Sequence, residues 1–449
     1  MQRNEERESE TAGTVSDSAT RYVVKLRDGK DFHSDDAEDI ERGDRLIEKI
    51  RDVWGDSHSP RPVRRLFDFS DEKVRELMKT AVANDESYQK SNLFNYLLVT
   101  TPPGLNPDDF KWSLFSLGDV ERVYRQLPAE DPTVDPDDDP RFADQRYLGD
   151  PPLGLGVSTV WPKKQGGGIA GADGAGVALV DMELGWTLGH EDLKRTNLNL
   201  LFGKIENGSR EHGTSVLGVI AANDNNFGCV GIVPNIKRIG LVSYEADSRT
   251  DRPNAIAAAA ADLDAGDVLV IEAQITVVTN PPIESLDAEF KAIRAATAKG
   301  IIVVEAAGNG GANIDSATSV FGDSGAIIVG AASGDVMHRK LKNSNFGKRV
   351  NCYGWGENVC TLTSNVSGAT SGETTAFRGT SAATAMIAGV AAAVQGMAKQ
   401  KGKLLTPSAM RKLLSNRETG TLSLGDRKSG GAVDLIGVMP NLIGIAKMV

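Results

Sequence analysis

Two apolar runs constrain this chain more than anything else in it: GVALVD, which ends at Asp181, and GIIVVEAAGNGG, which runs into the Gly-flanked Asn309. A short, continuous apolar run bounded by glycines reads as a strand buried on both faces, and such strands belong in a parallel α/β sheet. Open sheets of this kind place their sites at the C-terminal ends of the strands, where Asp181 and Asn309 stand. Two helix starts add to the pattern. HGTSVLGVIAA opens a small-residue helix with His212, and GTSAATAMIAG opens another with Ser381. The first turn of a helix leaves N–H groups free beside whatever sits there, and its dipole favours negative charge.

These residue types fit one chemistry. A serine hydroxyl is too weak an acid to attack a carbonyl at neutral pH, so it needs a general base within hydrogen-bond reach and an anion to orient that base. Asp181, His212 and Ser381 supply anion, base and nucleophile, in one of the three chain orders in which such triads arise on unrelated folds. The Asn309 carboxamide and the Ser381 backbone N–H would hold the oxyanion of a tetrahedral intermediate. Each word alone is weak, since GTS in an Ala-rich helix is usually packing. Their joint placement carries the reading.

From about Asp139 to the C-terminus the chain resembles the subtilisin-like (S8) serine peptidases. HEDL after the acid resembles that family's HPDL, AANDNNFGCVGIVP its calcium loop, and GDVLVIEAQ its substrate-binding strand. SNFGKRVNCYGWGENV and LTPSAMRKLLSN resemble a later strand and the C-terminal helix. The resemblance implies a three-layer α/β fold with a mostly parallel central sheet, and a serine endopeptidase that works through an acyl-enzyme on protein or peptide substrates. It also implies substrate-binding roles for Glu272, Ala273, Gln274, Gly308 and Gly310. A structural Ca2+ would be held by Asp192 and by Asn223, Asn225, Phe227 and Cys229, with a further ligand near Gln145; no cofactor serves catalysis. The different-class alternative is a catalytically silent binding module on the same fold.

Departures from the family pattern are informative. The acid is usually followed as Asp-Thr/Ser-Gly, whereas Asp181 precedes Met182 and Glu183. Ser215 stands where a second His is common after HGT, and Ala385-Met386 replaces the usual Pro-His after the nucleophile. Glu272-Ala273-Gln274 occupies the place of Ser-Leu/Trp-Gly, so subsite shape should differ. A carboxylate at Glu272, with Asp315 or Asp323, would favour a basic substrate residue before the scissile bond.

At 449 residues, a catalytic domain of about 300 leaves room for one smaller domain. The net charge of −11 disfavours a nucleic-acid groove, and no run of roughly 18 consecutive apolar residues marks a membrane span. The polar, acidic start lacks a signal-like apolar region, which points to the cytoplasm unless a signal has been removed. Three cysteines are too few for a disulfide framework; Cys352 and Cys360 are the pair that could bridge a turn, although reduced thiols suit a cytosolic protein. HEDLK lacks the second His of a zinc-binding HExxH, and QGGGIAGADGAG lacks the Lys of a phosphate loop and reads as a flexible surface loop.

The chain divides near residue 130. Residues 1–19 read as a disordered tail. Residues 20–127 alternate strands (RYVVKLR, LFNYLLVT, VERVYRQL) with helices (about Asp36 to Val53, FSDEKVRELMKTAVAN, NPDDFKWSLFSLG), a small ferredoxin-like α/β domain. The stretch from LFNYLLVT to VERVYRQL resembles the second half of the inhibitory prodomains that precede many subtilisin-like proteases, which makes the domain a candidate intramolecular inhibitor of a zymogen, with an unrelated accessory domain as the alternative. Residues 128–140, with the Pro/Asp run PAEDPTVDPDDDP, read as an exposed acidic linker, and 141–449 as the catalytic domain.

Overall fold

The computed structural model describes residues 20–27, 49–50, 63–67, 69–84, 92–102, 104–126, 133–194, 198–246, 249–423 and 436–449. The tail and most of the expected Asp36 to Val53 helix lie outside them. Two compact units result, Met1–Glu130 and Asp131–Val449.

In the first unit, strands β1 (Arg21–Leu26), β2 (Val63–Arg65), β3 (Tyr96–Thr100) and β4 (Val120–Arg125) form an antiparallel sheet in the order β2-β3-β1-β4. Tyr22, Val24 and Leu26 recur every second residue and share one face, as the pleat requires. That face packs on Phe110 and Leu114 of helix α2 (Pro107–Phe115), and helix α1 spans Asp71–Asn84. Asn106 caps α2 by accepting from the Asp108 and Asp109 amides, with Pro107 in the first turn. The strand expected over LFNYLLVT starts only at Tyr96, because Asn92 caps a single 3-10 turn over Leu93–Asn95.

The second unit is a nine-stranded sheet wrapped by helices. Its strands are β5 (Ala178–Glu183), β6 (Leu198–Phe202), β7 (Arg238–Ser243), β8 (Val268–Ile271), β9 (Ile302–Ala306), β10 (Ile327–Ala332), β11 (Cys352–Trp355), β12 (Thr421–Leu422) and β13 (Val438–Met439). The spatial order is β12-β13-β11-β10-β9-β8-β5-β7-β6, parallel throughout except for the antiparallel β12 edge. Every residue of β5, β8, β9, β10 and β11 is buried, as the continuous apolar runs require.

Helix α3 (Arg210–Ala221) carries His212, and helix α4 (Thr380–Gln400) carries Ser381. Helix α4 is long and apolar enough to cross a membrane by composition, yet it is buried from Thr380 to Ala398 inside the protein core. Its apolarity is that of a central core helix.

Both expected loops are exposed over much of their length, 165–168 included, but each is anchored in the second unit. Ala172 and Asp173 of the glycine-rich stretch are fully buried. In the Pro/Asp run, Val134 and Asp139 are buried: the Val134 amide donates to Pro162 O, the Asp135 amide to Asp224 Oδ2, and the Arg141 amide to Gly228 O. The acidic run is held because its own backbone amides find acceptors in the second unit.

Candidate active site

The C-terminal ends of β5, β8 and β9 and the starts of α3 and α4 converge on a cleft of about 930 Å3 whose walls include Glu183, His212, Glu272, Gln274, Asn309 and Ser381. His212 keeps part of its ring exposed, stacks edge-on against Phe377 (5.6 Å between ring centres), and turns Nδ1 inward. Nδ1 lies 2.9 Å from Glu183 Oε1.

The acid set against His212 is therefore Glu183, not Asp181, which corrects the expectation from the sequence. The two residues stand two apart on one strand and share a face, but Asp181 sits one step deeper, between Val270 of β8 and Leu241 of β7. There its Oδ2 accepts from Trp186 Nε1 at 2.7 Å, while Oδ1 has no hydrogen-bond partner among the described residues. Glu183 stands at the strand end, level with the start of α3. A signal for this was present. Glu183-Leu184-Gly185 keeps the glycine two places after the acid, as in the family's Asp-Thr/Ser-Gly. A Cβ at Gly185 would lie 2.2 Å from Glu206 O, so no other residue fits that turn.

Burial alone would lower the His212 pKa, but the charge of Glu183 and its hydrogen bond, with Asp181 and Glu211 behind, reverse this and the pKa is raised. Asp181 and Glu272 are both pushed well above the ordinary carboxyl range, first by burial, then by the charge of Glu183. Both Glu272 oxygens are buried beside Ser381 without a hydrogen-bond partner of good geometry among the described residues. A carboxyl held neutral there does not offer the charge expected to attract a basic substrate residue. Asp323 and Asp315 are engaged elsewhere: Asp323 holds Arg411 through two bonds of 2.9 and 3.0 Å, and Asp315 accepts from the Arg349 amide.

The raised pKa values of Asp181 and Glu272 make stability pH-dependent. The folded state binds these protons more tightly than the unfolded one, so their contribution is complete below about pH 4 and is lost as pH rises through the folded values, at up to about 1.4 kcal/mol per unit and group. Urea unfolding between pH 5 and 8 is expected to show falling stability with rising pH, with a shallower slope in Asp181→Asn and Glu272→Gln. Parallel slopes in all three proteins would count against neutral carboxyls.

Asn309 follows β9, as expected. Its Oδ1 accepts from the Thr380 amide at 3.0 Å, which ties the strand end to the start of α4. Gln274 faces the cleft beside it, whereas Ala273 is buried behind. Gly308 and Gly310 do not line the cleft. A Cβ on either would meet the carbonyl of Asn280 or Thr279, at 1.8 and 2.1 Å, because the segment from Ile275 to Pro281 folds back over them. Asn345 clamps this arrangement and was not singled out by sequence. Its Nδ2 donates to Thr279, Asn280 and Ala307 carbonyls and its Oδ1 accepts from the Gly310 and Ala312 amides. The Asn in SNFG was the only cue.

The departures elsewhere are structural. Ser215 Oγ donates to Leu362 O at 2.8 Å, and Ala385 and Met386 are buried in the core. All three thiols are free and buried; Cys360 lies against Cys229 and Arg141 rather than against Cys352. Around the expected calcium loop, Asp192 Oδ2 accepts from the Cys229 amide and Asn225 Oδ1 from the Phe227 amide. Gln145 instead spends both ends of its amide on Val230 and Tyr147. Asp138, Asp139 and Asp224 converge beside the loop, with carboxylate oxygens within 4.8 Å of one another. Burial pushes Asp139 and Asp192 each up to about 7.

The Subtilase family (Peptidase S8) profile matches residues 191–434, more than half of the chain. Subtilisin BL of Lederbergia lenta is 31% identical over 266 residues, covering 58% of this chain and 89% of that protein. M-protease of Shouchella clausii is 30% identical over 254 residues, 56% of this chain and 61% of that protein. Among solved structures, a protease from Pseudoalteromonas arctica superposes with a TM-score of 0.53 at 20% identity, covering 70% of this chain and 99% of that one.

Proposed function

The chain belongs to the subtilase family of serine peptidases, and from that premise we propose a peptide-bond hydrolysis run by Ser381, His212, Glu183 and Asn309. The observation that carries it is the 2.9 Å approach of Glu183 to His212 Nδ1 in the cleft that also holds Ser381 and Asn309. Glu183 accepts a hydrogen bond from Nδ1–H, which keeps that proton on Nδ1 and leaves Nε2 free to take one. The Ser381 oxygen attacks the scissile carbonyl carbon while His212 Nε2 removes its proton; the carbonyl π electrons move to oxygen, and the Asn309 carboxamide with the Ser381 backbone N–H meets the new charge. Collapse expels the amine, which takes the proton from His212, and water repeats the sequence to free the acyl group. A fluorophosphonate probe is expected to label Ser381 alone, as mapped by mass spectrometry. A chain that takes no label where it is folded is a silent binding module.

A structural Ca2+ fits the Asp192 loop. Asp192 Oδ1 and Asp139 Oδ2 are buried oxygens without a hydrogen-bond partner among the described residues, and hard cations seek clustered oxygens of this kind. Asp192, the Asn225 side chain and the Asn223, Phe227 and Cys229 carbonyls would hold the ion, with Asp138, Asp139 and Asp224 adding charge nearby. Its part is to neutralise these carboxyls and pin the loop. Chelation with EDTA is expected to lower the melting temperature by several degrees and Ca2+ to restore it, with Asp192→Asn insensitive to both. An unchanged melting curve would remove the ion from the account.

The N-terminal unit has its own core and ends in an extended strand at Arg125, followed by Pro128. We propose that it inhibits the peptidase, its chain continuing as an extra strand in the substrate groove. Cleavage between Gln126 and Val134, ahead of the residues anchored in the second unit, would then convert a tethered inhibitor into a dissociable one. Segment 20–127 added at micromolar concentration is expected to slow the catalytic unit, and Ser381→Ala to stay uncut where the wild type is clipped. Unchanged activity with the segment present would make it an accessory domain.

A further inference from the structure

Gln274 stands where the family carries a glycine, and its side chain does something that a glycine cannot. Its Oε1 accepts from both the backbone N–H of Asn309, at 3.1 Å, and the Asn309 carboxamide Nδ2, at 3.2 Å. On the opposite side, Asn309 Oδ1 accepts from the Thr380 amide at 3.0 Å. An asparagine amide is nearly symmetric in shape, so only its partners decide which end faces where. Here both ends are read. Turning the amide over would set Nδ2–H against the Thr380 N–H and Oδ1 against Gln274 Oε1, a donor pair and an acceptor pair. The upright amide uses one Nδ2 proton on Gln274, and Asn309 itself lines the cleft.

This matters because the residues on either side of Asn309, Gly308 (φ 92°) and Gly310, carry no side chain that could hold its carboxamide. Gln274 is itself anchored. Its backbone forms an antiparallel bridge with Pro282, the Ile275 amide donates to Pro281 O, and Asn345 ties the Thr279 and Asn280 carbonyls to the same turn that carries Asn309. The fold-back from Ile275 to Pro281 thus acts as a brace for one side chain.

We propose that Gln274 is a positioning residue for the oxyanion donor: it holds the Asn309 carboxamide with an N–H turned to the developing charge. The proposal rests on the catalytic reading above. Orientation of a donor is worth most in the transition state, where the charge forms, and little in the ground state.

The test uses the full chain and p-nitrophenyl butyrate, with phosphonylation by a fluorophosphonate as a second readout of the same donors. Gln274→Met keeps the length and removes the acceptor. It is expected to lower kcat about 5- to 30-fold with KM within about twofold, and to slow phosphonylation by a similar factor; removing the donor itself, in Asn309→Ala, costs about 100- to 1,000-fold. Combined with Asn309→Ala, Gln274→Met is expected to add nothing, since there is no amide left to orient. Gln274→Glu keeps an acceptor but adds charge beside the oxyanion. Its kcat is expected to approach that of the wild type at acidic pH and to fall away as pH rises. Full additivity with Asn309→Ala, a KM effect at unchanged kcat, or a faster enzyme in Gln274→Met would overturn the proposal. If Gln274→Met does not fold, the pH profile of Gln274→Glu decides, and a profile parallel to wild type overturns it. Failure of the catalytic reading is distinguishable, because then wild type and Ser381→Ala would react alike with the fluorophosphonate.

Discussion

Glu183→Gln is expected to lower kcat by about 10,000-fold, while Asp181→Asn leaves it within about tenfold. The carboxylate oxygen 2.9 Å from His212 Nδ1 can only accept, so it selects the imidazole form whose Nε2 is bare and able to take the serine proton. A glutamine amide in the same place can turn its NH2 toward Nδ1. That stabilises the form with hydrogen on Nε2, which cannot act as base toward Ser381. Asp181 has no such lever: its bonded oxygen faces Trp186, and burial favours its neutral acid, for which asparagine is a close isostere. Steady-state kinetics on a peptide p-nitroanilide, with melting curves for each variant, separates the two acids. A large loss in Asp181→Asn with a mild one in Glu183→Gln would restore Asp181 to the triad.

Ser381→Ala is expected to lower kcat by about a million-fold, and His212→Ala introduced into that variant to lower it no further. Nucleophile and base act as one unit, since neither an unactivated hydroxyl nor an unemployed imidazole does the chemistry. What remains is expected to exceed the uncatalysed rate by about 1,000- to 10,000-fold, through Asn309 and binding alone. Ser381 is nearly enclosed at the start of a buried helix and loses only one oxygen on truncation, so the melting temperature should hardly move. A double variant well below the single one would mean that the two residues serve separate steps.

His212, Ser381 and Asn309 were legible because each sits beside a sharp local signal, a glycine-flanked strand end or the start of a small-residue helix. The acid was not. A strand end cannot be located from apolar residues to within two positions when the next acceptor lies on the same face, and GVALVDMELG offers carboxyls at both. The parallel sheet could be read from GVALVD and GIIVVEAAG, since burial on both faces demands uninterrupted apolar side chains. PTVDPDDDP looked like open linker because charge and proline usually keep a chain in water. Its anchoring depends on acceptors far along the chain, the Asp224 carboxylate and the Pro162 carbonyl among them, and composition carries no record of such distant partners. The same holds for Asn345, an unremarkable residue in sequence whose five bonds arise only from the fold.

Helix α4 runs through the middle of the second unit with Ser381, the proposed nucleophile, as its second residue, buried along nearly its whole length. The Ser381 oxygen is thus a fixed datum, bolted to a buried, closely packed part of the second unit. Substitutions around it would disturb packing before they could alter preference for one substrate over another. Evolutionary retuning must therefore come from the opposite bank, where the stretch from Glu272 to Pro281 meets water at Val277 and Val278. New selectivity can be written there by insertion and point change while the nucleophile keeps its address.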